Sequence, residues 1–137
     1  MVIKFTKKQK VDGYLKEDDS FADWYVDEFM EVNFKDLKFG IEDAVLKKWV
    51  LNGRGYARHF RIDDPSDQAM FVTMMWEVGP DFFKFDGFRQ IATDPDMPPE
   101  EKIRRFFDMD ADRAADAIVN SDMTCWIYCD LPEMEVR

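Results

Sequence analysis

Apolar residues recur at three- and four-residue spacing through most of this chain, the period of helices that bury one face. Phe21, Trp24, Tyr25, Phe29 and Val32 make the first such stripe, with Asp19 or Ser20 placed to cap it. A second helix is predicted over Ile41–Leu51 with Asn52-Gly53 as its stop, and a short one over Tyr56–Phe60. Asp64-Pro65-Ser66-Asp67 is the clearest start signal. A capping carboxylate precedes a proline at the first helical position, and a second acid stands in the first turn.

The helix that follows, Gln68–Val78, is apolar almost all round and stops at Gly79-Pro80. A helix with that pattern is the buried centre of a bundle. Asp81 begins a helix carrying Phe82, Phe85, Phe88 and Ile91, weakened at Gly87 and ended by Asp94-Pro95. Pro98-Pro99-Glu100-Glu101 repeats the proline-then-acid start before Lys102–Phe107, and Asp110 caps Ala111–Val119, with Asn120-Ser121 as its exit. Val2–Phe5 suggests a short strand. Met123–Cys129 reads as a last helical turn or a strand, and the alternation of Cys125, Ile127 and Cys129 with Thr124, Trp126 and Tyr128 favours the strand. The expectation is a single all-α domain over residues 1–137, with about six helices packed around residues 68–78 and short terminal strands.

Composition sharpens this only in places. Thirteen Phe, nine Met and four Trp supply a core for 137 residues without disulfides or metals. A net charge of −10 repels phosphate backbones and suits a basic protein partner, so no nucleic-acid partner is expected. Lys4, Lys7, Lys8 and Lys10 form the one basic cluster and read as a solvated segment. Residues 1–15 lack a secretory h-region and no stretch has the length of a membrane helix, so a cytosolic location is expected.

The stretch from Gly53 onward carries a longer pattern. Gly53, Arg54, Ala57, Arg58, Phe60 and Ile62 lead to Asp64 and Phe71-Val72-Thr73-Met74-Met75, then Gly79-Pro80-Asp81-Phe82. Ile91-Ala92-Thr93-Asp94-Pro95-Asp96-Met97-Pro98-Pro99 and Glu101-Lys102-Ile103 complete it. In order and spacing these residues resemble small helical accessory proteins encoded beside spike and effector genes in bacterial type VI secretion clusters and polymorphic-toxin loci. The resemblance covers roughly residues 20–107 and departs at Arg61, where glycine is usual at the corner. It implies effector-associated company and no catalysis. Its motif residues are mostly caps, turns and core, so they carry a fold further than a function.

Candidate chemistry is sparse. Asp108, Asp110 and Asp112 alternate as in a calcium loop, but Arg113 and Val119 occupy the places that need Gly and Glu. His59 has no nucleophile near it in sequence, and Cys125 and Cys129 lie among aromatic and acidic residues that raise a thiol pKa, so both read as buried hydrophobes. Arg54, Arg58 and Arg61 stand at helical spacing and suit either a carboxylate clamp or pairing within the domain. The carboxylate pairs Glu77 with Asp81 and Asp94 with Asp96 admit a small carboxylate-dependent hydrolase as the alternative function. No cofactor or metal is expected. The leading expectation is a non-enzymatic cytosolic binding protein for a toxin effector, acting as immunity protein or chaperone/adaptor. Its partner contacts are placed on the acidic row Asp108, Asp110, Asp112 and Asp116 and on the aromatic tail Trp126 and Tyr128.

Overall fold

Capping carboxylates at Asp64 and Asp110 start two of the helices in the computed structural model, which describes residues 13–127. The protein is all-α, and no strand is present among the described residues. The Val2–Phe5 strand expectation lies outside them. The chain divides into two compact units, residues 1–51 and 52–137.

In the first unit, α1 (Asp18–Trp24), a π-helical turn (Tyr25–Phe29) and α2 (Met30–Asn33) follow one another without a break. Glu17 rather than Asp19 or Ser20 stands at the N-cap and makes no side-chain cap; Asp18 and Asp19 serve the first turn, where the helix dipole favours acids. Phe21, Tyr25 and Phe29 bury their rings one above the next, with centroids 6.2 and 4.8 Å apart. Lys47 reaches Asp23 at 3.1 Å and Asp27 at 3.2 Å, so two acids of this run share one ammonium within the unit.

Helix α3 (Asp43–His59) runs straight through Asn52-Gly53 and Gly55, and the predicted stop and separate short helix are not there. The residues at the supposed stop have packing duties instead. Asn52 donates to the Trp126 carbonyl at 2.7 Å. A β-carbon at Gly53 would sit 2.9 Å from Met75 Sδ and 3.0 Å from Val72 Cγ2, so glycine permits close approach of α3 to α4 (Pro65–Glu77). Glycine costs about 1 kcal/mol in a helix interior, and here tertiary packing outweighs that local preference.

The true end of α3 is a Schellman corner. Ile62 N–H donates to the Ala57 carbonyl and Arg61 N–H to that of Arg58, both at 2.9 Å. Arg61 occupies the left-handed position with φ 65°. The glycine-type corner is therefore built with an arginine in the glycine's place. Two buried side chains hold it. Gln68 Nε2 donates to the Ile62 carbonyl at 3.0 Å while its Oε1 accepts from Arg54 Nε at 2.7 Å. Lys102, only 2% exposed, donates to the carbonyls of Phe60 (3.1 Å) and Ala92 (2.9 Å). Burial lowers the Lys102 pKa, with the nearby Asp94 charge opposing.

Helix α4 is the centre of the second unit, as its all-round apolar pattern requires: Phe71, Val72, Met74 and Met75 are buried. Asp64 Oδ2 accepts from the N–H groups of Ser66 and Asp67 and so caps it as expected. Phe71 meets Phe60, Phe82, Phe83 and Phe106 at ring separations of 5.1–6.1 Å.

The single helix predicted from Asp81 is instead a 3-10 turn, Phe82–Lys84, and α5 (Phe88–Ala92). Gly87 divides them because its φ of 87° leaves the helical region, and its N–H is held by Gln90 Oε1 at 2.6 Å. Then α6 (Pro99–Phe107) and α7 (Ala111–Asn120) begin at Pro99 and after Asp110, where the sequence puts them. The strand expected over Met123–Cys129 is a helical turn as far as it is described: α8 covers Thr124–Ile127.

Candidate functional site

The acidic row predicted around α7 is exposed at all four positions, but its members do different things. Asp110 is the N-cap. It accepts from Arg113 N–H at 3.1 Å and pairs with the Arg113 guanidinium at 3.0 Å. Arg113 also reaches Asp86 at 3.3 Å. The Arg113 backbone N–H is the main reason the Asp110 carboxyl lies below its ordinary pKa; for Asp86 the Gln90 hydrogen bond comes first and Arg113 second. Asp110 is thus committed to the fold. Asp116 accepts from Asn120 Nδ2 at 2.9 Å. Asp108 and Asp112 make no side-chain hydrogen bond or ion pair among the described residues. The outward charge of this face rests on Asp108, Asp112 and Asp116.

Beside those acids lies an apolar sector that the sequence reading missed. Only Ala117 of α7 is buried, and Ala114 is half-buried. At 3.6 residues per turn, Ile118, Ala111, Ala115 and Val119 fall within a sector about 100° wide on the other side of the helix, with Asp112 and Asp116 along its edge. Ile118 is 51% and Val119 79% exposed, and Met123 and Ile127 add apolar surface after the helix ends. The signal was available. Ala111, Ala114, Ala115, Ala117, Ile118 and Val119 are too many apolar positions for one buried stripe.

Trp126 is 1% exposed and packs on Trp76 with ring centroids 4.3 Å apart, so it is core and not a surface anchor. The physical reason is the helical turn of α8, which turns Cys125 and Trp126 inward together. Tyr128 and Cys129 lie outside the described residues. Burial pushes the Cys125 thiol pKa up, opposed by a Tyr56 hydrogen bond, which suits a structural thiol and not a nucleophile.

Of the arginine series, Arg54 is buried on Gln68, whereas Arg58 and Arg61 are exposed, Arg61 beyond the helix end. Of the carboxylates proposed for hydrolysis, Asp94 has a local task. Asp94 Oδ1 accepts from Asp96 N–H at 2.9 Å, and Asp122 Oδ1 from Thr124 N–H at 2.9 Å. Asp81 is buried, and its Oδ1 has no partner among the described residues. Burial raises the pKa of both Asp81 and Glu77. No group of three His, Cys, Asp or Glu among the described residues could hold a metal ion.

The first unit has its own surface feature, also unread in the sequence. Lys38-Phe39-Gly40-Ile41 is a type II turn: Phe39 has φ −64° and ψ 126°, Gly40 has φ 81°, and Ile41 N–H donates to the Lys38 carbonyl at 3.2 Å. The turn leaves Phe39 91% exposed at the edge of a cavity of about 540 Å³ lined by Glu31, Lys35, Asp36, Lys38 and Phe39. Lys38 binds Glu31 at 2.9 Å and holds its carboxyl below the ordinary range.

No described helix is long and apolar enough to cross a membrane. Comparison of the chain with protein-family models, curated proteins and solved structures finds no match.

Proposed function

We propose that this is a non-enzymatic cytoplasmic protein that binds a type VI secretion or polymorphic-toxin effector, as immunity protein or loading chaperone/adaptor. One observation carries the binding reading: α7 turns Ile118 and Val119 to water on a face bordered by Asp112 and Asp116. Exposed apolar residues rimmed by charge mark protein interaction sites more often than scattered surface apolar residues do. The resemblance of residues 20–107 to effector-associated proteins supports an effector as the class of partner. Against the hydrolase alternative stands the task of Asp94, whose carboxylate holds the backbone N–H of Asp96.

The experiment is co-expression with the large gene encoded beside it, followed by pull-down at about 0.1 M salt and at several times that concentration. The reading requires a stoichiometric complex that weakens with salt, because an acidic face speeds association with a basic partner through a screened field. Recovery as a lone monomer at both salt concentrations overturns it.

A further inference from the structure

We infer that the element bound by α7 is a cationic amphipathic helix, its apolar stripe lying on Ile118, Val119, Ala111 and Ala115 and its lysines or arginines facing Asp112 and Asp116. This rests on the binding reading above and adds the chemistry of what is bound.

The apolar sector of α7 is about 100° wide, the width with which a surface helix normally faces its own core, yet here it faces water. Ala111 and Ala115 carry no bulk beyond Cβ, so a second helix can approach toward the short end of the usual 8–10 Å axial spacing. Asp112 and Asp116 stand four residues apart along the border of that sector. Cations four residues apart on a partner helix match them, since i and i+4 are neighbours on a helix surface.

A second copy of this chain is the poorer occupant. Its α7 would bring Asp108, Asp112 and Asp116 against their own kind, between two molecules of net charge −10. The ten residues of α7 span about 15 Å, less than a standard interface of roughly 800 Å² per partner requires, so affinity is expected on the order of micromolar.

The test uses the full chain and three synthetic peptides of about 20 residues, long enough to be helical. They are a Leu/Lys amphipathic helix, its Leu/Glu counterpart, and a Leu/Lys peptide of the same composition with the helical period scrambled. The Leu/Lys helix is expected to bind in calorimetry, the Leu/Glu helix not at all, and the scrambled peptide about tenfold more weakly, the loss of one well-placed apolar contact. Ile118→Ser with Val119→Ser should weaken the Leu/Lys helix at least as much at every salt concentration. Asp112→Asn with Asp116→Asn should weaken it only at low salt. Both pairs of residues are exposed, and circular dichroism verifies that the variants fold.

Equal binding of ordered and scrambled peptides, or binding untouched by both double variants, overturns the inference. Pull-down separates it from the functional reading. If both double variants capture the effector as wild type does while Phe39→Asp does not, the effector-binding reading stands and α7 is the wrong surface. If wild type captures no effector but binds the Leu/Lys helix through α7, the inference stands and the effector reading falls.

Discussion

Arg61→Gly is expected to stabilise the protein, although it deletes a long side chain and a charge. Arg61 stands at φ 65°, where the side chain of an L-residue crowds the following carbonyl at a cost of about 1–2 kcal/mol. Glycine removes that cost but gives the unfolded chain more freedom, a loss of about 0.4–1 kcal/mol. The difference is a gain of about 0.5–1 kcal/mol. Electrostatics point the same way, because the Arg61 charge opposes protonation of the buried Lys102 nearby. The hydrogen bonds of the corner are all to backbone atoms or come from Gln68 and Lys102, and the substitution leaves them in place. Urea denaturation of wild type, Arg61→Gly, Arg61→Asn and Arg61→Ala measures this directly. The order expected is Gly above Asn, which tolerates the left-handed region, above Ala and wild type. A glycine variant less stable than wild type at unchanged urea slope would refute the strain argument. An alanine variant as stable as the glycine one would assign the effect to charge and not to backbone.

Lys102→Met keeps much of the stem but leaves the Phe60 and Ala92 carbonyls without their donor, and should cost about 2 kcal/mol in the same assay. A loss below about 0.5 kcal/mol would mean that relief from burying the ammonium offsets the lost bonds. Asp81→Asn should stabilise the protein at neutral pH. Burial raises the folded-state pKa of Asp81, so the carboxylate's cost is fully present above that pKa and is lost as pH falls through it toward the ordinary 3.8. The variant's advantage should therefore shrink on acidification, and an advantage that is constant with pH, or absent at pH 7, contradicts this. The salt-dependent pull-down and the peptide series on α7 complete the set.

Where helix ends are decided by local chemistry, the sequence was readable. Asp64 with Pro65, Pro98 with Pro99, and Asp110 mark starts because a side-chain oxygen or a proline ring acts within its own turn. Where the deciding contact is distant, it misled. Asn52-Gly53 looks like a stop, yet its purpose lies with Trp126, Val72 and Met75, up to 74 residues away. The Thr124–Cys129 alternation suggested a strand because six residues are too few to separate a period of two from 3.6. The acidic part of the candidate face was legible, since Asp108, Asp112 and Asp116 are outward by charge alone. Its apolar part left a signal in the surplus of apolar positions on α7, but an apolar residue reads as core until the opposite face of its helix is known to be the buried one. Trp126 was misassigned for the converse reason.

The close approach of α3 and α4 bears on how the protein ages. Met75 is buried, with its sulfur against the space that Gly53 leaves, so dissolved peroxide has no route to it while the helices stay together. Oxidation at that sulfur would occur only during an opening of the seam, and would add a polar oxygen to a junction that already lacks room for a methyl group. Each such event converts a momentary opening into a lasting one. Under oxidants the sulfoxide content of Met75 is then a cumulative record of how often this junction parts.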